Sequence, residues 1–338
     1  MRSNIIVTKM RASCPTRRHL LLAFGSASVL AADRNVLAQW RRAARETDGT
    51  VGAAALHLAS GRLVSMNGEQ RFPLASICKV PIAMNILAMV DKGKLKFDQA
   101  VEVLPRDLVP NVSELARRWP SETRFRLGEM LALMVGQSDN TAVETLFRIG
   151  GGAPAMAARF REWMIDGIRV DRSERQCELD RNGVAHYPSP DQWTDALVNS
   201  LEAQAAPEVR YRAVRRYLAD PRDTGTPNGT VQLLARLFRG ELLSRSSTTR
   251  LVEVMKSTTS FPSRLKGLLP PGTVVAHKTG STGIVNGLTA ATNDSGVIFL
   301  PDGGLLAVSV YVKASTRPDA VRDRVIAQIG RAAFDATW

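Results

Sequence analysis

The sequence predicts an α+β protein in which strands from both ends of the chain form one antiparallel sheet and an all-helical lobe lies between them. Residues 51–66 have small and apolar residues on both sides of a Ser60-Gly61 turn, which indicates a hairpin. Strand patterns return only after residue 273, and the middle of the chain is helical in pattern. With 338 residues, of which 44% are hydrophobic, the chain can form one large domain or two interlocked lobes.

The last third predicts an antiparallel meander. Its strands are expected at residues 274–278, 287–292, 297–300 and 305–312. Turns are expected at Asn293-Asp294-Ser295-Gly296 and at Pro301-Asp302-Gly303-Gly304. From Arg317 to Trp338, apolar residues recur at helical spacing, so a terminal helix is expected to pack on the sheet.

The middle of the chain predicts the helical lobe. Apolar runs indicate helices at Val80–Val90, Leu127–Val135 and Thr141–Phe147. Further helices are expected at Trp193–Ala203 and Val209–Leu218. Motifs that carry chemistry would then lie at the seam between the two lobes.

Residues 1–32 have the pattern of an export signal. Basic residues precede a short apolar run from Leu20 to Leu30, and Ala31-Ala32 is a plausible cleavage site. The run is too short to span a bilayer comfortably. The paired Arg17-Arg18 suggests the twin-arginine route, although a general secretion signal fits almost as well.

Charge and composition argue against several kinds of partner. The net charge of +13 falls to about +8 when the basic residues of the leader are removed, and the remaining basic residues are scattered. Nucleic-acid binding is therefore not expected. The four histidines, His19, His57, His186 and His277, lack ligand spacing, so we expect neither a metal nor a cofactor.

Three short polar motifs carry the chemistry. Ser76-Ile77-Cys78-Lys79 places a serine at the start of an apolar helical run, with a lysine on the same helix face. A partly desolvated lysine can accept the hydroxyl proton. A helix cap followed by an exposed lysine explains this motif equally well when it is taken alone. The pattern also recurs at Ser263-Arg264-Leu265-Lys266, where Gly and Pro lie nearby.

The other two motifs are Ser138-Asp139-Asn140, before a helix, and Lys278-Thr279-Gly280, on a strand. Taken alone, the first could be a helix N-cap and the second an ordinary edge lysine. Gly280 would let a ligand approach the backbone closely. In this order, the three motifs together predict a serine acyl-transfer site.

These residues resemble the class A serine β-lactamases, and the resemblance extends over nearly the whole mature chain. Asp171-Arg172-Ser173-Glu174 resembles the start of that family's Ω-loop, and the segment from Thr226 to Met255 resembles the helices that follow. The resemblance implies a five-stranded antiparallel sheet flanked by terminal helices, plus the helical lobe. It implies one domain at 33–338, with a mixed lobe at about 33–70 and 256–338 and a helical lobe at about 71–255.

The resemblance also implies roles. Ser76 would be the nucleophile, with Lys79 or a water held by Glu174 as its base, and Glu174 would activate the deacylating water. Ser138 would relay a proton to the leaving nitrogen. The remaining groups would bind substrate: the backbone N–H groups of Ser76 and Ser281 as the oxyanion hole, Asn140 for the side chain, and Lys278, Thr279 and the Ser281 side chain for the carboxylate.

Three departures from the family are expected to matter. No arginine follows Lys278 on the next strand, so Arg264 is predicted to help bind the substrate carboxylate. Asp223 is predicted to close the Ω-loop by pairing with Arg172, which makes residues 175–222 a large insertion. Glu178 and Asp180 are both candidates for the second holder of the water, and Glu144 stands where an asparagine is common. Finally, Cys78 and Cys177 are hypothesised to pair as a disulfide.

The sequence thus predicts an exported, monomeric hydrolase that opens β-lactams. A penicillin-binding DD-peptidase shares the serine, the lysine and the strand motif, but it has no need of Glu174. A β-lactam sensor that stays acylated is the other alternative. The periplasm or the exterior is the expected location, without stable membrane insertion after cleavage of the leader.

Overall fold

The computed structural model describes residues 17–184, 192 and 194–338. The first half of the predicted leader, together with His186 and Trp193, lies outside the described residues. No helix in the part that is described has the length and apolar character needed to cross a membrane.

An antiparallel sheet forms from both ends of the chain, as predicted. Five strands follow one another across it in the order β2-β1-β10-β9-β7, and the two-residue β8 also pairs with β9. The strands are β1 (Thr50–His57), β2 (Leu63–Met66), β7 (Val275–Ser281), β8 (Ile284–Val285), β9 (Leu288–Phe299) and β10 (Leu305–Ser315). The predicted five-stranded sheet and hairpin are confirmed.

The turn predicted at Asn293-Asp294-Ser295-Gly296 is wrong, because β9 runs without interruption through these residues. Turn-type side chains are tolerated there since they are buried and bonded. Asp294 contacts His277 Nδ1 at 2.9 Å, and Asn293 Nδ2 donates to Pro73 O at 2.8 Å. Gly296 faces the backbone of His277 so closely that a Cβ would not fit.

Two terminal helices cover one face of the sheet. They are α1 (Arg17–Ala44) and α12 (Asp319–Phe334). Val36 and Trp40 of α1 pack with Val325 and Ile329 of α12 and with one face of β1 and β10. Helix α1 passes through the predicted cleavage site at Ala31-Ala32, and Val36 and Trp40, which pack on the sheet, follow that site.

The helical lobe covers the other face. Its early helices are α2 (Lys79–Asp91), α3 (Glu114–Arg118), α4 (Leu127–Ala132), α5 (Asn140–Ile149) and α6 (Gly152–Glu162). Its later ones are α10 (Pro227–Phe238) and α11 (Arg245–Lys256). Short strand pairs brace it: β3 (Phe72–Pro73) with β6 (Thr224–Gly225), and β4 (Ala100–Glu102) with β5 (Arg124–Arg126). One continuous apolar core joins this lobe to the sheet.

Between Glu174 and Asp223, the residues that the structure describes form three helices: α7 (Glu174–Asn182), α8 (Asp195–Gln204) and α9 (Pro207–Ala219). Helix α9 packs on both α7 and the sheet edge. Val214 and Tyr217 form a small apolar cluster with Val285 of β8 and Leu288 of β9. This long segment is therefore folded onto the β7–β9 side of the molecule.

Candidate active site

Ser76 lies in a tight 3-10 turn, Ala75–Cys78, that leads directly into α2. The residue before it, Ala75, has φ of 46°, a left-handed conformation that costs a non-glycine residue about 1–3 kcal/mol. Asn293 holds this conformation in place, since its Nδ2 donates to Pro73 O at 2.8 Å and to Leu74 O at 3.0 Å. The sheet thus fixes the backbone that presents Ser76.

Strand β7 passes directly beside Ser76, and Gly280 makes this approach possible. A Cβ at Gly280 would lie 2.9 Å from Leu74 O and 3.2 Å from Ser76 N. Any side chain would therefore separate β7 from the serine turn. The N–H of Ser76 and the end of β7 at Ser281 are brought to the same side of the cleft, where a carbonyl oxygen could lie between them.

Lys79 is fully buried and connects two of the motifs. Its Nζ donates to Ser138 O at 2.8 Å, to Ser138 Oγ at 3.1 Å and to Asn140 Oδ1 at 2.6 Å. Burial lowers the pKa of Lys79, and the opposing charge of Glu174 partly offsets that effect. A lysine with a lowered pKa beside a serine hydroxyl can pass protons along the chain of groups.

The Ser138 motif serves both catalysis and structure. A π-helical turn, Leu133–Gln137, ends at Ser138, whose φ is 64°. Such a turn and such a backbone angle are common at functional sites. Asp139 is an N-cap, since it accepts bonds from Ala142 N at 2.8 Å and Leu115 N at 3.1 Å. Asn140 Nδ2 donates to Asn111 O at 2.7 Å, which fixes its amide toward Lys79.

Lys278 lies fully buried on β7, with its Nζ donating to Thr279 O at 2.8 Å. Burial, together with the charge of Lys79, lowers the pKa of Lys278 to about 7. Thr279 Oγ1 is 2.7 Å from Ser260 Oγ, so the threonine hydroxyl is oriented by a residue that the sequence did not single out. The buried ammonium and this hydroxyl could together hold a carboxylate.

Arg264 is buried beneath the end of β7 and is nearly saturated with bonds. Its Nε donates to Asp323 Oδ1 at 2.8 Å, and Nη1 donates to Gly280 O and Asn293 O, both at 3.0 Å. Its Nη2 donates to Ser281 Oγ at 2.7 Å. The structure therefore brings Arg264 to the predicted place, where it reaches the cleft through Ser281.

Glu174 is the first residue of α7. A buried ion pair between Arg172 and Asp223 fixes the backbone that immediately precedes it. Arg172 Nε donates to Asp223 Oδ2 at 2.5 Å, while Asp223 Oδ1 accepts from the backbone N–H groups of Asp171 and Arg172 at 2.7 and 3.0 Å. Both side chains are largely buried. The two ends of the segment from Glu174 to Asp223 therefore meet beside the cleft. Arg172 also bonds Asp180, one of the two candidate water holders.

A cavity lies next to the serine turn. Its walls come from the serine turn, α7 and the end of β7, and they include Ala75, Cys78, Glu174, Cys177 and Ser281. Tyr217 of α9 also lines it and lies beneath the Arg172 guanidinium, 5.6 Å from the ring centre. No sequence pattern marks Tyr217, because its place depends on how the long segment folds back.

The two cysteines are free thiols, so the hypothesised disulfide is wrong for this structure. Both cysteine residues line the same cavity. Burial raises the pKa of Cys78 to about 12 and that of Cys177 well above its ordinary value. Because the thiolate is the form that reacts, this burial disfavours oxidation.

The second Ser-x-x-Lys pattern has a structural role. Ser263 Oγ donates to Asp323 Oδ2 at 2.8 Å, and Lys266 Nζ donates to Thr258 O at 3.3 Å. These bonds help to hold the loop that carries Arg264. Asn293 was also misjudged from the sequence, since a residue assigned to a turn in fact supports the serine backbone.

Many known proteins are similar to this chain in sequence and in fold. Residues 35–337 match the family described as the β-lactamase enzyme family. The β-lactamase VEB-1 of Pseudomonas aeruginosa is 30% identical, over 85% of this chain and 84% of that protein. The extended-spectrum β-lactamase PER-1 of the same organism is 32% identical, over 84% of this chain and 82% of that protein.

Solved structures with a similar fold are also β-lactamases. A β-lactamase from Chitinophaga pinensis matches with a TM-score of 0.74 and 34% identity, over 89% of this chain and 98% of that one. An ancestral class A β-lactamase matches with a TM-score of 0.70 and 29% identity, over 89% and 98%. The chain therefore belongs to the β-lactamase enzyme family and is a class A serine β-lactamase.

Proposed function

We propose that this cleft hydrolyses the β-lactam amide bond through an acyl-enzyme on Ser76, and so gives resistance to β-lactam antibiotics. One observation carries the proposal: the buried Lys79 ammonium, which follows the serine turn, bridges Ser138 and Asn140, while Glu174 and Ser281 line the cavity next to that turn. A nucleophile, a proton relay and a second base are thereby gathered around one space.

In the acylation step, Ser76 Oγ attacks the lactam carbonyl. Lys79 or a water held by Glu174 accepts the serine proton, and the lowered pKa of Lys79 supports its participation. The N–H groups of Ser76 and Ser281 stabilise the oxyanion. Ser138, bonded to Lys79, then delivers a proton to the nitrogen as the ring opens.

The remaining residues of the site are assigned to substrate binding. Lys278 and Thr279 hold the carboxylate, and Asn140 contacts the substrate side chain. Arg264 acts by orienting Ser281 and by adding positive charge behind it.

In the deacylation step, Glu174 activates a water that attacks the ester. We propose that Glu178 or Asp180 makes the second contact to the water. Glu178 lies four residues after Glu174 on the same face of α7, and Asp180 bonds Arg172. The insertion at 175–222 shapes this side of the cleft through Tyr217. We further propose that residues 1–32 direct export to the periplasm or beyond and that the mature protein is a monomer.

Steady-state hydrolysis of a chromogenic cephalosporin, with intact-mass detection of acyl-enzyme, tests these roles. Ser76→Ala should show no acylation, and Glu174→Ala should accumulate acyl-enzyme. Ser263→Ala, in the second Ser-x-x-Lys pattern, is the matched control and should still be acylated. A single stoichiometric burst from the unaltered protein would favour a DD-peptidase or a sensor instead. Undiminished turnover by Glu174→Ala would refute the role of Glu174.

A further inference from the structure

The side of α9 that faces away from the molecule is basic. Arg212, Arg215 and Arg216 are exposed and share this side, because residues three or four apart lie on one face of a helix. In the described part of the chain, the side chains of these three arginines form no hydrogen bond and no ion pair. Glu208 is the single acidic residue of α9, so the helix carries an excess of positive charge. Together with Tyr211, the three arginines form what we call the outer face of α9.

Exposed apolar surface accompanies these charges. Tyr211 is 42% exposed, and Ile284 of β8 is 62% exposed. Ile284 lies close to the start of α9, because β8 packs against this helix and Asn286 Nδ2 donates to Pro207 O at 2.9 Å. Arginines beside a tyrosine ring and an aliphatic side chain are the composition of a surface that lies at a boundary between lipid and water.

The opposite side of α9 belongs to the fold and to the cleft. Ala213, Val214 and Tyr217 are buried on that side. Val214 and Tyr217 pack against the sheet edge, and Tyr217 lines the cavity next to the serine turn. A partner that docks on the outer face therefore leaves this wall of the cavity in place.

Exposed arginines alone do not distinguish α9 from the rest of the surface. Arg34, Arg41 and Arg42 are also exposed, on α1. Among residues 31–44 of α1, whose side chains the structure describes, no large apolar residue is exposed. The outer face of α9 differs because its charges lie beside exposed apolar side chains.

We propose that the outer face of α9 docks the enzyme reversibly on an anionic phospholipid surface. The planar guanidinium groups bind lipid phosphates in a two-pronged arrangement. Tyr211 and Ile284 enter the boundary between the headgroups and the acyl chains, an environment that nucleic acids and acidic proteins do not offer. The predicted export signal would bring the protein to a membrane, where such a surface is found.

Vesicle sedimentation tests the proposal with the processed enzyme, so that the basic leader does not contribute to binding. The enzyme should bind vesicles that contain phosphatidylglycerol but not vesicles of pure phosphatidylcholine, and salt should weaken the binding. An arginine at an anionic surface contributes roughly a factor of five, so replacing Arg212, Arg215 and Arg216 together by glutamine should lower the partition coefficient about 100-fold at low salt. Tyr211→Ser should weaken the binding that remains at high salt.

Replacing Arg34, Arg41 and Arg42 together by glutamine is the matched control, since it removes the same charge from α1. This control should lose less than about fivefold in the partition coefficient. Circular dichroism should be unchanged in both triple variants, because all six side chains are exposed.

Equal losses in the two triple variants would mean that net charge alone drives the binding, and they would overturn the proposal. Equal binding to both kinds of vesicle, or binding to neither, would also overturn it. So would binding of soluble glycerol phosphate to the outer face with no gain in affinity from the vesicles, since the ligand would then be a free phosphate ester and not a lipid surface.

Discussion

Replacing Glu144 with glutamine should change how the stability of the protein depends on pH. The pKa of this buried carboxyl rises from 4.5 to about 7 on folding. The folded state therefore keeps the proton where the unfolded state has lost it. Stability is highest below the unfolded pKa and falls as the pH rises toward the folded pKa.

The size of this effect follows from the two pKa values. A tenfold difference in proton affinity is worth about 1.4 kcal/mol, so ionised Glu144 costs about 3 kcal/mol of folding free energy at pH 8. Of that cost, about 2.5 kcal/mol appears between pH 5 and pH 8. Other titrating groups, such as Lys278, are common to both proteins and cancel in the comparison.

Urea unfolding followed by tryptophan fluorescence at pH 5 and pH 8 provides the measurement. We expect Glu144→Gln to gain about 2.5 kcal/mol relative to the unaltered protein between the two pH values, whatever the difference at pH 5. A gap between the two proteins that stays constant with pH would refute the reasoning, since it would mean that Glu144 titrates alike in the folded and unfolded states.

Three further predictions follow from the site. Asp223→Asn removes one of the carboxylates that bond the buried Arg172 guanidinium, while Asp180 stays, and should lower the free energy of unfolding by about 1.5–3 kcal/mol in urea titrations; a loss below about 1 kcal/mol, the level of a surface pair, would contradict this. Because Lys278 loses its proton above about pH 7, the KM for a carboxylate-bearing substrate should rise with pH there, and Lys278→Arg should flatten that rise. Tyr217→Ala should lower the free energy of unfolding by about 3 kcal/mol and alter the KM. An unchanged KM would contradict a contribution of Tyr217 to the substrate-binding cleft.

The fold was largely predictable because its strands and helices have strong local patterns. The hairpin at β1–β2, the last helix and the apolar α2 depend on the spacing of apolar residues, which is read directly from the chain. The failure at Asn293-Asp294-Ser295-Gly296 has a specific cause. Local preference favours a turn, but partners from distant segments satisfy these polar groups inside the sheet.

The sequence was sufficient to identify the motifs of the site, but not the hydrogen-bond partners of their side chains. The sequence singled out Ser138-Asp139-Asn140, yet only the fold shows that Asp139 caps helices while Asn140 bonds Lys79. Arg264 was predicted to help bind the substrate carboxylate, and only the fold shows that it lies beneath β7, bonded to Asp323 and Ser281. Which residue of a motif bonds the catalytic groups and which one caps a helix depends on the direction of each side chain, and the spacing of residues in the sequence does not give that direction.

The sequence by itself indicated acyl transfer, because the motifs at Ser76, Ser138 and Lys278, in this order, predict that reaction class without any knowledge of distance. The hydrolytic role of Glu174 was implied by the resemblance to the class A β-lactamases. The tertiary structure alone decided which groups tune that chemistry. Glu144 meets the start of α7 from α5, Asn293 supports the serine turn, and Tyr217 of α9 lines the cavity beside that turn. The physical reason is that burial and hydrogen-bond partners, which set pKa values and hold backbone strain, arise between segments far apart in the chain.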